Sequence, residues 1–214
     1  MRATRLLRSA LLLLALAGAG AAPAQPDARA VLAKVSRAYT ASPSVSLTFV
    51  QQYAPAGFPD TTPETGRLVL QAPDRLRFEY DGAEGKLFTF DGTAGRQYVA
   101  ADRQMVVRTL TPEERQRLPL LFLEAPDRVL DRFAATAADA ANGLSELTLV
   151  PKGGDEPRKV TLTATAEGEV KRLVILDREG NRTTFTFTKK ESGPRRPASD
   201  FTLVPPKGTK VVGG

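Results

Sequence analysis

The chain has 214 residues, 42% hydrophobic and 25% charged, the balance of a folded globular protein rather than a disordered or coiled one. It has no cysteine and no histidine, which excludes disulfides, thiol chemistry, Ser-His-acid catalysis and histidine-based metal sites. The formal charge of +6 falls to about +3 without Arg2, Arg5 and Arg8 of the leader, too little and too scattered for a nucleic-acid footprint.

Those arginines open the chain. An apolar run from Leu11 to Leu16 follows, then small residues ending in Ala22-Pro23-Ala24. This is the layout of a secretory signal peptide, residues 1–24, and the run is too short to cross a bilayer of roughly 30 Å. Cleavage after Ala24 leaves residues 25–214, read as a single domain without the cysteine that a lipid anchor would need. A soluble periplasmic protein is expected.

From Asp27 to Ala41 the apolar residues Val31, Leu32, Val35, Ala38 and Tyr39 make one helical stripe, and Ser42-Pro43 ends it. The period then becomes two. Val45, Leu47 and Phe49 alternate with polar residues; Leu68/Leu70, Leu76/Phe78/Tyr80 and Phe88/Phe90 repeat the pattern. Further strands are predicted at Gln97–Ala100, Gln104–Leu110, Ser145–Pro151, Lys159–Thr165, Val170–Asp177, Asn181–Thr188 and Phe201–Val204. Asp-Gly and Gly-rich turns separate them, which argues for an antiparallel meander or barrel. Thr111-Pro112-Glu113-Glu114 starts a helix in the middle, and "LPLLFLEAPDRVLDRF" continues helically. "AATAADAAN" (Ala134–Asn142) reads as a helix end running into an exposed loop. Neither a linker nor an internal repeat divides the chain.

Carboxylates are the only catalytic chemistry left. Glu79/Asp81 and Glu167/Glu169 each share a strand face, but no pocket is evident and exposed strand charge explains both pairs. "PPKGTK" lacks the spaced glycines of a phosphate loop, and no acidic loop has calcium spacing. The expectation is a non-enzymatic protein without cofactor or metal.

Six blocks in order carry a resemblance. They are "LTFVQQ" (Leu47–Gln52), "GRLVLQAPDRLRFEY" (Gly66–Tyr80), "FTFDGTAGRQYVAADRQMVVRTL" (Phe88–Leu110), "PLLFL" (Pro119–Leu123), "LDREGNRTTFTF" (Leu176–Phe187) and "DFTLVPPKGTKVV" (Asp200–Val212). Together they resemble the LolA-type periplasmic lipoprotein carriers. The resemblance implies a mainly β fold with an α lid: an unclosed antiparallel β-barrel, or half-barrel, covered by helices, with an apolar cavity between. It also implies a function, the carriage of lipoproteins from an inner-membrane ABC-type exporter to an outer-membrane receptor. The acyl chains would lie against Leu47, Phe49, Leu68, Leu70, Leu76, Phe78, Tyr80, Phe88, Phe90, Leu121 and Phe122. Leu76 is expected to line a cavity that admits water, so that Leu76→Glu leaves a folded, ligand-defective protein; in a closed core the same change would unfold it.

Two positions depart from the family pattern. The arginine before the strand proline, a latch between barrel and lid, is Ala72, and the aromatic after the Asp-Gly turn falls on Arg96, behind Gly95. A lid that opens more readily is expected. A LolA-like carrier of another lipid or apolar ligand, and a periplasmic lipid-sensing regulator, stay open beside the lipoprotein carrier. A monomer is expected.

Overall fold

A computed structural model describes residues 25–213 apart from 117 and 154–156. The leader, residues 1–24, lies outside the described residues.

The first helix, α1 (Ala28–Thr40), starts where the Asp27 carboxylate accepts the Arg29 backbone N–H at 3.1 Å, and it buries Val31, Leu32, Val35 and Tyr39 along one side. A six-strand meander follows: β1 (Ser44–Ala54), β2 (Glu64–Gln71), β3 (Arg75–Tyr80), β4 (Lys86–Phe90), β5 (Ala94–Val99) and β6 (Gln104–Thr109). Then come α2 (Pro112–Gln116), a 3₁₀ turn (Pro119–Leu123) and α3 (Pro126–Arg132). The α2 start is a reciprocal cap, Thr111 N–H to Glu114 Oε2 at 2.9 Å and Glu114 N–H to Thr111 Oγ1 at 3.2 Å. A second meander has β7 (Phe133–Ala140), β8 (Leu144–Pro151), β9 (Lys159–Ala164), β10 (Val170–Leu176) and β11 (Arg182–Gly193), and β12 (Lys210–Gly213) closes the chain.

All twelve strands form one sheet in the order β12-β6-β5-β4-β3-β2-β1-β11-β10-β9-β8-β7. β12 and β7 are its two edges, so the barrel is unclosed. Every pairing is antiparallel except β12 with β6. The curvature is strong. β3 and β11 lie three strand steps apart, roughly 14 Å in a flat sheet. Yet the rings of Phe78 on β3 and Phe185 on β11 sit with centroids 5.7 Å apart. A register shift at Thr48/Phe49, in the β1–β11 pair, adds to the bend. Gly66 makes room for it: a Cβ there would stand 2.2 Å from the Glu79 carbonyl oxygen and 2.7 Å from the Phe49 ring.

The concave face holds the core. Register aligns Val45, Leu70, Leu76 and Phe90 in one row, and Leu47, Leu68, Phe78 and Phe88 in the next. α1, the Pro119–Leu123 turn and Val129 of α3 fill the hollow over these rows. Helices cover one face of the sheet, as the sequence predicts.

Two expectations need correction. Ala134–Asn142 is mostly strand: β7 pairs with β8, placing Ala135 opposite Leu149 and Ala137 opposite Leu147. The alanines' helix preference yields to a ladder of backbone bonds and to burial of Ala137. Phe201–Val204 is not a strand. That segment is part of a strap over the convex face, where Ser44 Oγ donates to the Pro194 carbonyl at 2.7 Å and Arg77 to the Asp200 carbonyl at 2.9 Å. Buried Gln71 exchanges two bonds with the Arg196 backbone, at 2.8 and 3.3 Å, so its amide is satisfied. Phe201 plugs the strap down, fully buried, and the strand that follows is Lys210–Gly213.

Arg96 has a structural explanation. It reaches Asp91 at 2.6 Å, and that carboxylate also accepts the N–H groups of Thr93 and Ala94 at 2.9 and 2.8 Å, closing the β4–β5 turn. Burial pushes the Asp91 carboxyl up, but the bonds from Ala94, Arg96 and Thr93 outweigh it and hold it below the ordinary carboxylate value. A depressed folded pKa stabilises above the unfolded value and is lost as pH falls through the folded one. Asp91→Asn should therefore cost about 1 kcal/mol at neutral pH and flatten the acid limb of a urea-denaturation series. An unchanged acid limb would show that the turn does not depend on this charge.

Candidate functional site

The concave face is not filled along its whole length. Toward the Tyr80 end of β3 it leaves a cavity of about 380 Å³ walled by Phe78, Tyr80, Phe88 and Phe185, with Leu118 on the helical side and Gln51, Glu64, Lys86 and Gln97 around it. The size is in the ordinary range for small-molecule sites. Its aromatic wall is rigid. Phe49 sits edge-on to Phe78, Tyr80 and Phe185 at 5.5, 5.2 and 5.6 Å, each contact contributing about 0.5–1.5 kcal/mol beyond burial. The Tyr80 hydroxyl donates to Gln51 Oε1 at 2.5 Å; burial, and then the Glu64 carboxylate, push its pKa up, so it stays protonated.

The residues of the concave side therefore fall into two groups. Phe78, Tyr80 and Phe88 line the cavity. Leu47, Phe49, Leu68, Leu70, Leu76 and Phe90 are packed in the closed interior beneath α1 and the 3₁₀ turn, whose own Leu121 and Phe122 are buried in it. For Leu76, at 0% exposure, the closed-core outcome is the one to expect. Phe185, Gln51, Glu64, Lys86, Gln97 and Leu118 were not singled out by sequence. Phe185 had a signal: "TTFTFT" repeats the F-x-F spacing of "KLFTF". The polar residues had none, because a wet strand face looks the same whether it borders solvent or a cavity.

The lid is held without the missing latch. Ala72 packs at the margin of the core. The register shift at Thr48/Phe49 puts Lys190 opposite Leu47, on the concave side. From there its ammonium donates to the Ala38 carbonyl of α1 at 3.2 Å and lies 5.6 Å from the Tyr39 ring centroid. Tyr39 packs on Phe122 at 5.1 Å, and its hydroxyl accepts the Val170 N–H at 3.1 Å. From the lid side, Arg115 of α2 stands over the Phe90 ring at 5.2 Å. Lys190→Met keeps the stem and removes the charged bond, worth about 1.5 kcal/mol. Hydrogen exchange in α1 should speed by roughly tenfold, and unchanged exchange there would mean that the lid is fastened elsewhere.

Comparison with known proteins agrees with this geometry. The family model described as "Outer membrane lipoprotein carrier protein LolA" matches residues 40–204. The chain belongs to the LolA family. Relatives called outer-membrane lipoprotein carrier protein include one from Xanthomonas campestris, 30% identical over 152 residues, 70% of this chain and 72% of the relative. Another, from Pseudomonas syringae, is 25% identical over 190 residues, 89% of this chain and 91% of the relative. A solved structure of an uncharacterized conserved protein from Thermus thermophilus shares the fold at a TM-score of 0.53 and 13% identity, covering 86% of this chain and 97% of that one. The chain's own fold is mainly β, a single unclosed sheet, and the family and the relatives that it matches are named as lipoprotein carriers.

Proposed function

We propose that this protein is a periplasmic chaperone that carries lipoproteins from the inner to the outer membrane. It holds their acyl chains on the concave face, and the aromatic cavity is where the chain first lodges. The observation that supports this best is that cavity, about 380 Å³ with aromatic walls, bordering an interior that is plugged by helices rather than sealed by a second sheet. The physical need is plain. Each exposed CH₂ costs about 0.8 kcal/mol, so a chain of about fifteen carbons costs roughly 12 kcal/mol in water, and unaided crossing is negligible. A carrier must offer an apolar replacement for the membrane and then give its load up. Helices lifting from the concave face would enlarge the cavity along the rows of Leu47, Leu68, Leu76 and Phe90, turning the plug into the rest of the site.

In this reading residues 1–24 direct export and are removed, residues 25–214 act as one domain and as a monomer, an ABC-type inner-membrane exporter loads it, and an outer-membrane receptor unloads it. The lid's mixed fastening, through Lys190, the Tyr39 hydroxyl and Arg115 over Phe90, suits repeated opening. Native mass measurement of protein purified from its own periplasm tests the proposal. Bound lipopeptide is expected. Free lipid instead would make it a carrier of another ligand, and a ligand-free protein that only binds when presented with lipidated partners would make it a sensor.

A further inference from the structure

Resting on the carrier reading, we infer that Glu64, Glu84 and Lys86 form a charge filter at the cavity mouth, admitting acyl groups joined through a neutral amide or ester and turning away fatty-acid anions. Among the described residues lining the aromatic cavity, Glu64 and Lys86 are the charged ones. Both also line the two hollows that adjoin it, about 530 Å³ toward Tyr53 and Thr61 and about 210 Å³ toward Asp81 and Gly82. Anything that enters or leaves by those hollows passes this pair.

A lysine beside an apolar cavity ordinarily attracts a carboxylate head. Here its ammonium is engaged, 2.6 Å from Glu64 Oε1 and 3.0 Å from Glu84 Oε2. The Glu64 and Glu84 bonds hold Lys86 protonated beyond its ordinary range. Asp81 adds a third carboxylate to the adjoining hollow, its Oδ2 accepting the Thr65 hydroxyl at 2.7 Å. One cation against three anions leaves the mouth negative. A fatty-acid anion must either break a Lys86 bond or sit beside uncompensated acids. A neutral head meets no such cost. Gln51 already accepts the Tyr80 hydroxyl through its oxygen, which leaves its amide N–H groups to donate, and Gln97 lines the same cavity. Amide donors suit a carbonyl, not a cation.

The test is displacement of the neutral fluorophore N-phenylnaphthylamine from the mature protein, at neutral pH and low salt, by N-dodecanoyl-glycinamide and by dodecanoate. The amide should displace at a concentration about tenfold lower than the anion. In Glu64→Gln/Glu84→Gln, where Lys86 is released, that ratio should fall toward one; Glu84→Gln alone, at a side chain 65% exposed, should move it part-way and serves if the double variant folds poorly. Dodecanoate competing as well as the amide on the unmodified protein would overturn the filter, as would a ratio unmoved in folded variants. If neither acyl compound displaces the fluorophore, the carrier reading itself fails, and the filter with it.

Discussion

Leu76→Glu should unfold the protein or keep it from accumulating, whereas Phe88→Glu should leave a folded protein that cannot hold an apolar fluorescent probe. The two residues sit on neighbouring strands and face the same way, Leu76 opposite Phe90 and Phe88 opposite Phe78. What separates them is one step along the strand. Leu76 is fully enclosed within the core cluster, with Leu70 and Phe90 as its partners across the sheet. A carboxylate there has neither water nor a cation, and the loss should be about 3–5 kcal/mol, read as a collapse of the urea midpoint. Phe88 is half-buried on the cavity wall, where a glutamate can reach water through the mouth. Its expected cost is about 1 kcal/mol or less, with affinity for N-phenylnaphthylamine lost. If Leu76→Glu melts normally and loses binding, the interior under the helices opens far more readily than its packing indicates. Should Phe88→Glu bind normally, the ligand lies elsewhere.

Gly168→Ala should loosen the lid. The β9–β10 turn presses Gly168 against α1, where a Cβ would stand 2.3 Å from the carbonyl carbon and oxygen of Lys34 and 2.6 Å from the Val35 nitrogen. Backbone atoms in a helix cannot step aside one at a time. Either α1 lifts or the turn deforms, and a turn that deforms loses the Val170 bond to Tyr39. The residue also has φ +87°, which an alanine adopts at a cost of roughly 1–2 kcal/mol. Gly143→Ala separates the two effects, because Gly143 has φ +71° and open space around its would-be Cβ. Deuterium uptake over residues 28–40 should rise by roughly tenfold or more in Gly168→Ala, for a lid loosened by about 1.4 kcal/mol, and stay unchanged in Gly143→Ala. Equal behaviour of the two variants would mean that the close approach does not hold the lid.

Most of the architecture was readable because its signals are local. The α1 stripe, the alternation in β1 to β4, the Asp-Gly turns and the Thr111–Glu114 cap each specify one element, and each lies where the pattern puts it. What stayed illegible depends on partners remote in sequence. β7 is a strand because β8 lies beside it, and its alanines carry no strand signal of their own. The strap carries Phe201, which looks like strand sequence and serves as an anchor. The aromatic stripe was legible as a stripe, but the point where core gives way to cavity was not, because that depends on how far the Pro119–Leu123 turn reaches into the hollow. Polar neighbours such as Gln51 and Lys86 needed the same information.

The seam between β1 and β11 has a consequence for how the chain comes to be folded at all. The Thr188 hydroxyl reaches the Thr48 carbonyl at 3.5 Å across a separation of 140 residues. On either side of that seam, every strand but β12 pairs with its neighbour in sequence, through hairpins that can close early and independently. The two halves should thus be assembled while the join is still open, since bringing such distant residues together carries a large loop-closure entropy that only the completed seam offsets. In that interval Phe49 and Phe185, which meet across the join, face solvent from separate halves. A newly made chain would then pass through a stage with the aromatics of its concave face uncovered and no lid to hide them. Under the proposed carrier function, the exposure that the protein would spare its cargo is one it must first survive itself.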